Sequence, residues 1–245
     1  MVLLHGFPEN GTLWRFVWDK LASTHMLIIP DFPGGGQSIL EDEAGIDDMA
    51  RCVKSILDAE GIEKAVIAGH SMGGYVTFSF ADQFPEYVAG ISLVHSTPDE
   101  DDEEKKKMRK KVIELVRRGA KDAFLRLMVS GLFAEEFKQN KRSAVEEQIR
   151  CAMEMSNDGI INFYTAMMNR QDRSNIIENS SFPIQWIIGA HDSVIDPKKL
   201  LQFCYKSYIN FVSVYEDCGH MSMIEDPDRL GGDMMEFANY CYERK

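Results

Sequence analysis

Residues 66–74 constrain the fold more than any other part of the 245-residue chain. They read VIAGHSMGG, an apolar run followed by Ser71, which has a glycine two residues before it and another two residues after it. A serine held on a sharp turn from a strand into a helix has strained backbone angles, and its neighbours must carry almost no side chain. Gly69 and Gly73 provide that room. The segment therefore predicts a strand, a tight turn and a helix, with the Ser71 hydroxyl presented at the end of the strand.

Short apolar runs alternate with helical patterns along most of the chain, which is the order of elements in α/β folds. The runs do not alternate polar with apolar residues, as expected of strands that helices cover on both faces. We therefore predict an α/β fold with a mostly parallel sheet flanked by helices. The predicted strands are residues 2–4, 26–29, 65–68, 91–94, 184–188 and 211–215.

One long segment interrupts this alternation. Residues 98–173 show only helical patterns and no strand pattern. Because the alternation resumes afterwards, we interpret this segment as a helical insertion in one α/β core. The predicted core comprises residues 1–97 and 174–245.

The start of the insertion is rich in charge. Thr97 is the expected N-cap of its first helix, with Pro98 in the first turn. Acidic residues 99–104 come next, followed by the basic run 105–111. This order of charges suits the helix dipole and allows pairs four residues apart. We therefore expect a solvated helix face here.

The charge balance limits the partners of the protein. Asp and Glu number 39 against 27 Lys and Arg, which gives a formal net charge of -12. Such a chain repels phosphate backbones and anionic lipids, so we expect neither nucleic acid nor membrane surfaces as partners. No apolar run approaches the ~18 residues of a spanning helix, and the N-terminal residues lack the pattern of a signal peptide.

The cysteines are odd in number and show no CxxC spacing. This is the pattern of neither a disulfide framework nor a zinc ribbon. We interpret them as free thiols of a cytoplasmic protein, and we expect no metal and no other cofactor. The five residues are Cys52, Cys151, Cys204, Cys218 and Cys241.

A serine hydroxyl needs a nearby base to become a nucleophile, and histidine is the usual base. In parallel sheets, ligands bind beyond the carboxyl ends of the strands. His220 lies just beyond the last predicted strand, and Gly219 before it allows the loop to turn inward; it is our candidate base. His191 also follows a strand and remains an alternative. His95 ends the strand after the serine turn, where a structural role competes with lining the site.

The other three histidines are less suitable as bases. His25 precedes a predicted strand and so belongs to the opposite edge of the sheet. His70 is adjacent to the serine and cannot reach around to it. His5 follows the first strand, where shaping the next loop is its expected role.

The base in turn needs an acid that fixes its tautomer and stabilises the imidazolium ion. Asp192 follows the strand predicted at residues 184–188 and is our candidate. Asp196 precedes a proline and is better explained as a helix N-cap. Asp217 is too close in sequence to the histidine. The order serine, aspartate, histidine is the one expected of a triad on such a sheet.

An oxyanion formed at the serine needs two backbone N–H donors. The Met72 N–H follows the nucleophile directly. The second donor is expected from the loop after the first strand, and we assign it to Phe7. Pro8 has no N–H and cannot take this role.

Five short motifs share one resemblance. They are HGFP at residues 5–8, PDFPGGGQS at 30–38, GHSMGG at 69–74, GAHD at 189–192 and CGHM at 218–221. Together they resemble the α/β-hydrolase fold superfamily, in particular its lipase- and esterase-like serine hydrolases. The resemblance covers the core on both sides of the insertion, which lies where that family has its helical cap.

Two departures from the family pattern matter. The family's N-terminal β-hairpin has no counterpart before HGFP, so residues 26–29 are expected to form an exposed sheet edge. An unpaired edge invites pairing with a second copy, and a homodimer is therefore expected. HGFPE also resembles epoxide hydrolases and dehalogenases, which use an aspartate nucleophile where this chain has Ser71. An alkyl-enzyme mechanism is disfavoured for that reason.

These features predict a carboxylesterase-like serine hydrolase that cleaves an ester or similar acyl bond of a small, apolar substrate through an acyl-enzyme. Cap side chains beside the serine would form the substrate pocket, although packing between cap and core also explains them. The candidate pocket residues are His95, Met128, Phe163, Tyr164 and Met167.

Several alternatives stay open. The same triad serves thioester, lactone and C–C bond hydrolysis, perhydrolysis and lyase chemistry, and a non-catalytic ligand receptor can share the scaffold. A metal hydrolase would use His5, His191, Asp192 and His220, but no HxH or HExxH spacing supports it. A phosphate-binding loop would need a G-K-[ST] sequence, which does not follow the glycines.

Overall fold

Five parallel strands form the sheet at the centre of the computed structural model, which describes residues 1–244. Each strand pairs with the next strand along the chain, and because all five are parallel, every connection returns from the carboxyl end of one strand to the amino end of its neighbour. This arrangement confirms the predicted α/β fold. The strands are β1 Val2–Leu4, β2 Ala65–His70, β3 Val88–Val94, β4 Ile184–Gly189 and β5 Asn210–Tyr215.

Helices cover both faces of the sheet. Along β1, the side chains of Val2 and Leu4 belong to one hydrophobic cluster and that of Leu3 to another, because successive residues of a strand point to opposite faces. The helices are α1 Arg15–Ala22, α2 Ile46–Ala59, α3 Met72–Gln83, α4 Glu103–Arg117, α5 Lys121–Ser130, α6 Glu135–Asn140, α7 Arg142–Met153, α8 Asn157–Met168, α9 Asn175–Asn179, α10 Pro197–Cys204, α11 Ser222–Glu225 and α12 Pro227–Glu243. Among residues 1–244, no helix is both long and apolar enough to cross a bilayer.

The strand predicted at residues 26–29 is wrong. Ile28 forms a single parallel bridge with Val2, and no ladder extends from it. Its two hydrogen bonds, from Leu3 N to Ile28 O and from Ile28 N to Met1 O, are both 2.9 Å long. The partner strand β1 has only three residues, and the proline at position 30 has no N–H to continue the pairing. The other predicted strands are present, with small changes at their ends.

Six helices, α4 to α9, lie between β3 and β4, and this part of the described chain contains no strand. The backbone N–H of Arg173 donates a hydrogen bond of 3.0 Å to Pro98 O. The two ends of the predicted cap segment, residues 98–173, therefore meet. The division of the chain into cap and core stays a prediction.

The first of these helices begins later than predicted. Asp102, not Thr97, is the N-cap of α4, and its carboxylate accepts a 2.8 Å hydrogen bond from Lys105 N. The intervening residues are held in a loop, because the Arg170 Nε donates to Asp99 O at 2.8 Å. Sequence alone could not show this contact, since the two residues lie on opposite ends of the insertion.

Candidate active site

The sharp turn predicted around Ser71 is present. Ser71 joins β2 to α3 with φ 50° and ψ −114°, a conformation that residues with a side chain rarely adopt. A Cβ on Gly69 would lie 2.3 Å from Gly73 O, and one on Gly73 would lie 2.4 Å from a backbone oxygen of β1. Both positions therefore require glycine. The turn is held by hydrogen bonds from Ser71 N to Val94 O, 3.0 Å, and from Ser96 Oγ to Ser71 O, 2.7 Å.

His220 and Asp192 form a buried hydrogen bond at the carboxyl ends of two adjacent strands. Asp192 follows β4, His220 follows β5, and 2.7 Å separates His220 Nδ1 from Asp192 Oδ2. A carboxylate only accepts, so Nδ1 carries the proton and Nε2 is left free to take another. The other carboxylate oxygen accepts from the backbone N–H groups of Val194 and Ile195, at 2.8 and 3.0 Å.

The electrostatics of this pair suit an acid and a base. Burial alone would raise the pKa of the Asp192 carboxyl, but the neighbouring His220 and His95 outweigh burial and hold it well below its usual range. Burial alone would lower the pKa of the His220 imidazole, but the charge and hydrogen bond of Asp192 raise it above its ordinary value. Asp192 is therefore ionised near neutral pH, and it stabilises a protonated His220.

The loop that carries His220 is fastened to the serine turn. His70, the residue before Ser71, donates from Nε2 to His220 O at 2.9 Å. The rings of His70 and His220 lie 4.9 Å apart, centroid to centroid. Within residues 1–244, however, no hydrogen bond joins the Ser71 hydroxyl to the His220 ring. The structure thus places the three predicted residues at the carboxyl ends of the strands, but the hydrogen bond between Ser71 and His220 is not formed.

His95 lies against the acid. Its side chain is fully buried, and its Nδ1 lies 3.6 Å from Asp192 Oδ2. Its Nε2 pairs with Ser222 Oγ at 2.8 Å. Burial lowers the pKa of His95 to about 4, so the ring is neutral near pH 7. The sequence predicts His95 as a residue lining a substrate pocket, but its ring is enclosed by protein.

The predicted oxyanion donors flank the serine turn. Met72 is the first residue of α3, and the first N–H groups of a helix have no partner within it. Phe7 lies in the loop after β1, and its N–H makes no hydrogen bond to another group within residues 1–244. Both amides are therefore available to a ligand oxygen.

The predicted pocket residues of the insertion divide into two groups. Phe163 and Tyr164 on α8 both contact Phe7, with ring centroids 6.4 and 4.9 Å away. Met167, one turn further along, accepts a hydrogen bond from Arg109 at its sulfur. Met128 is half-buried between the two hydrophobic clusters. Phe163 and Tyr164 thus adjoin the loop that follows β1, whereas Met128 packs between the two hydrophobic clusters.

Sequence reasoning missed a buried carboxylate beside the turn. Glu9 is 3% exposed, and neither of its carboxylate oxygens has a hydrogen-bond partner. His70 Nδ1 is also without a partner, 3.7 Å from Glu9 Oε2. The only sequence signal was the position of Glu9 directly after HGFP.

The metal-hydrolase alternative has no matching site. Among residues 1–244, the side chains close enough to share a cation are His95, Asp192 and His220, with ligand atoms within 4.8 Å of one another. His5 instead uses both ring nitrogens in hydrogen bonds to backbone groups, and His191 is exposed. The four residues considered from the sequence therefore do not converge.

A parallel sheet, a serine on a strained strand-to-helix turn and an Asp–His pair beside that serine together define one class of α/β fold. Residues 1–227 match the sequence profile described as "alpha/beta hydrolase fold". The chain belongs to the α/β hydrolase fold family.

Individual relatives support an esterase-like hydrolase function. A pimeloyl-[acyl-carrier protein] methyl ester esterase of Pectobacterium carotovorum is 26% identical over 97% of this chain and 93% of its own. An esterase of Thermogutta terrifontis, solved with malate bound, has a TM-score of 0.94 and 26% identity over 98% of this chain and 89% of its own. The dihydrolipoyllysine-residue acetyltransferase component of an acetoin cleaving system from Pseudomonas putida is 27% identical over 97% of this chain, which spans only 62% of that relative.

Proposed function

We propose that the protein is a serine carboxylesterase in which Ser71 is the nucleophile, His220 the general base and Asp192 the acid. The observation that carries this proposal is the 2.7 Å Asp192–His220 hydrogen bond, held against the strained turn that presents Ser71. The two esterase relatives point to the same bond type. In this proposal, the hydrogen bond between Ser71 Oγ and His220 Nε2 forms when substrate binds, because catalytic hydrogen bonds often tighten only in the complex.

The reaction proceeds in two halves. Ser71 Oγ attacks the acyl carbon while His220 Nε2 takes the hydroxyl proton, and the N–H groups of Phe7 and Met72 hold the resulting oxyanion. When the tetrahedral intermediate collapses, the C–O bond to the alcohol breaks and His220 returns its proton to the alcohol. Water then attacks the acyl-enzyme with His220 again as base, and the carboxylic acid leaves with Ser71 restored.

We propose that helices of the segment 98–173 cap this site. The rings of Phe163 and Tyr164 against Phe7 would then border an apolar acyl chain, close to the carbonyl held at the oxyanion donors. Such contacts favour substrates with methylene groups next to the ester.

A fluorophosphonate probe tests the nucleophile directly. We expect a single covalent adduct on Ser71, located by digestion and mass spectrometry, because the probe reacts with an activated serine. We expect Ser71→Ala to lose the adduct and to lower kcat on p-nitrophenyl esters by about 10⁴-fold or more.

Ser55→Ala is the matched control, since Ser55 is an exposed serine on α2. It should keep the adduct. Labelling of any other residue, or ester hydrolysis that survives in Ser71→Ala, would overturn the proposal. A panel of thioesters and lactones in the same assay separates the carboxylesterase from the other chemistries of this triad.

A further inference from the structure

One carboxylate faces two buried guanidinium groups at the start of the insertion. Asp101 accepts hydrogen bonds from Arg109 and from Arg170, whose Nη1 lies 2.6 Å from Asp101 Oδ1. The side chains of Asp101 and Arg170 are 0% and 2% exposed, and that of Arg109 is 17% exposed. The nearby Asp99 carboxylate is already paired with Lys199. The Arg109–Asp101–Arg170 cluster therefore carries one positive charge that its own acid does not compensate.

The two guanidinium groups are not equally satisfied. Arg170 Nε donates to Asp99 O and its Nη1 also to Met167 O, both at 2.8 Å, and its guanidinium lies 3.9 Å above the Tyr75 ring. Arg109 uses its Nε and Nη2 on Asp101, but its Nη1 meets only the sulfur of Met167, a weak acceptor. Arg109 is also the more exposed of the two, with 17% of its side chain accessible against 2% for Arg170. Within residues 1–244, Arg109 Nη1 thus has a hydrogen to donate and no oxygen to accept it.

Two aromatic side chains connect the cluster to the proposed active site. The Arg109 guanidinium lies 5.4 Å from the centre of the Tyr164 ring, and that ring contacts Phe7 of the oxyanion loop. Tyr75, under Arg170, comes one helical turn after Ser71 on α3. Tyr164 is 8% exposed, and within residues 1–244 its hydroxyl makes no hydrogen bond. Burial raises the pKa of this phenol to about 12, so it remains a donor.

We infer that Arg109 and the Tyr164 hydroxyl bind a carboxylate at the far end of the acyl chain, so that the preferred substrates are half-esters of dicarboxylic acids. A carboxylate would neutralise the excess charge and accept from the planar guanidinium fork. The methylene groups between ester and carboxylate would lie against the rings of Phe163 and Tyr164. This inference deepens the proposed function and rests on it.

The test compares two esters of equal chain length, mono-p-nitrophenyl glutarate and p-nitrophenyl valerate. The wild-type protein should have the higher kcat/KM on the glutarate half-ester. Arg109→Met should lower kcat/KM on the half-ester by about 10- to 100-fold, the usual effect of a hydrogen bond to a charged group. It should leave the valerate ester within about threefold, because no charge is recognised there.

Folding should survive this substitution. In Arg109→Met, Asp101 keeps Arg170 as its partner, which leaves one buried acid facing one buried base. Tyr164→Phe, which removes only an oxygen, should lower the half-ester preference independently. Arg117→Met is the matched control, since Arg117 lies on the same helix with its side chain 57% exposed and should not alter the ratio.

The outcomes are distinguishable. No preference of the wild-type protein for the half-ester, or an equal loss on both esters in Arg109→Met and in Tyr164→Phe, would overturn the anion site while leaving the esterase intact. If neither ester is hydrolysed, the proposed function fails, and the anion site is then tested by calorimetry with free glutarate. Binding in the wild type that is lost in Arg109→Met would support the site, and its absence in the wild type would refute it.

Discussion

His220 is the residue whose ionisation decides when the proposed base can act. Burial lowers its pKa, but it is outweighed by the nearby carboxylates of Asp192, Glu9 and Glu225, which raise the pKa above 6.5. Only the neutral ring can take a proton from the serine. The ratio kcat/KM should therefore rise with pH through an acid limb centred above 6.5.

The charge of Glu9 contributes to the raised pKa of His220 and therefore to the position of this acid limb. Glu9→Gln removes a negative charge that favours the protonated form of His220, so the pKa of His220 falls. We expect the acid limb of kcat/KM to move to lower pH. The measurement is a pH profile on a neutral ester.

A structural role alone would leave the profile in place and change only the amplitude or the melting temperature. Glu41→Gln, at an exposed position, is the matched control and should not move the limb. An acid limb that stays fixed in Glu9→Gln, or moves to higher pH, would contradict this account of Glu9.

For individual residues, a position directly after a predicted strand is the feature that indicates membership of the candidate site. Ser71, Asp192 and His220 were each chosen because they follow a predicted strand, and parallel strands end at one edge of the sheet. Glu9 and Arg109 carried no such signal. The charge pattern predicts Arg109 on a solvated basic face, yet it is mostly buried, because Asp101 and Met167 reach it from elsewhere in the chain.

Among the elements, the turn from β2 to α3 depends most on individual glycines. A Cβ at Gly69 would lie 2.3 Å from a backbone oxygen that cannot rotate away. Gly61 has φ +66°, but its Cβ would meet nothing within 4 Å. Substitution of Gly69 therefore measures the cost of a steric overlap, and substitution of Gly61 measures the cost of a left-handed backbone conformation.

We expect Gly61→Ala to lower the free energy of unfolding by about 1 kcal/mol, the cost of a left-handed residue with a side chain. Gly69→Ala should cost about 3 kcal/mol or more, because the backbone must shift to relieve the overlap. Urea unfolding of both variants measures the difference. Equal losses would show that the turn is more pliable than its contacts indicate.

The elements also show where local sequence patterns fail. The apolar run at residues 26–29 has the composition of a strand, but only Ile28 pairs with β1, and the proline at position 30 has no N–H to continue the pairing. The capping pattern at Thr97 is equally regular, but Asp102 provides the cap that is used. Both errors arise from tertiary contacts, which local propensity does not contain.

For the molecule as a whole, the order of strands and helices predicted the fold class, and the structure and the family match confirm it. The order could not show which sheet edge is free. Residues 1–3 are hydrogen-bonded to Ile28 on one side. The opposite edge is β5, where Val212 is 44% exposed. The predicted homodimer therefore has β5 as its better candidate interface.

A lysine at an edge strand discourages pairing with a second copy. We expect the wild-type protein to be dimeric by light scattering after gel filtration, and Val212→Lys to be monomeric. Leu127→Lys, at a position 79% exposed on α5, should remain dimeric. A wild-type monomer at every concentration, or identical behaviour of both variants, would contradict an interface through β5.

The hydrogen bond from Arg173 N to Pro98 O has a consequence for how such proteins diversify. The two ends of the intervening segment lie side by side, so we expect a change in its length to leave the pairing of β3 with β4 in place. Descendants of one ancestor can in this way keep a reaction and acquire new ligands. For protein engineering, residues 98 and 173 are therefore suitable junctions at which to replace the insertion with that of a relative.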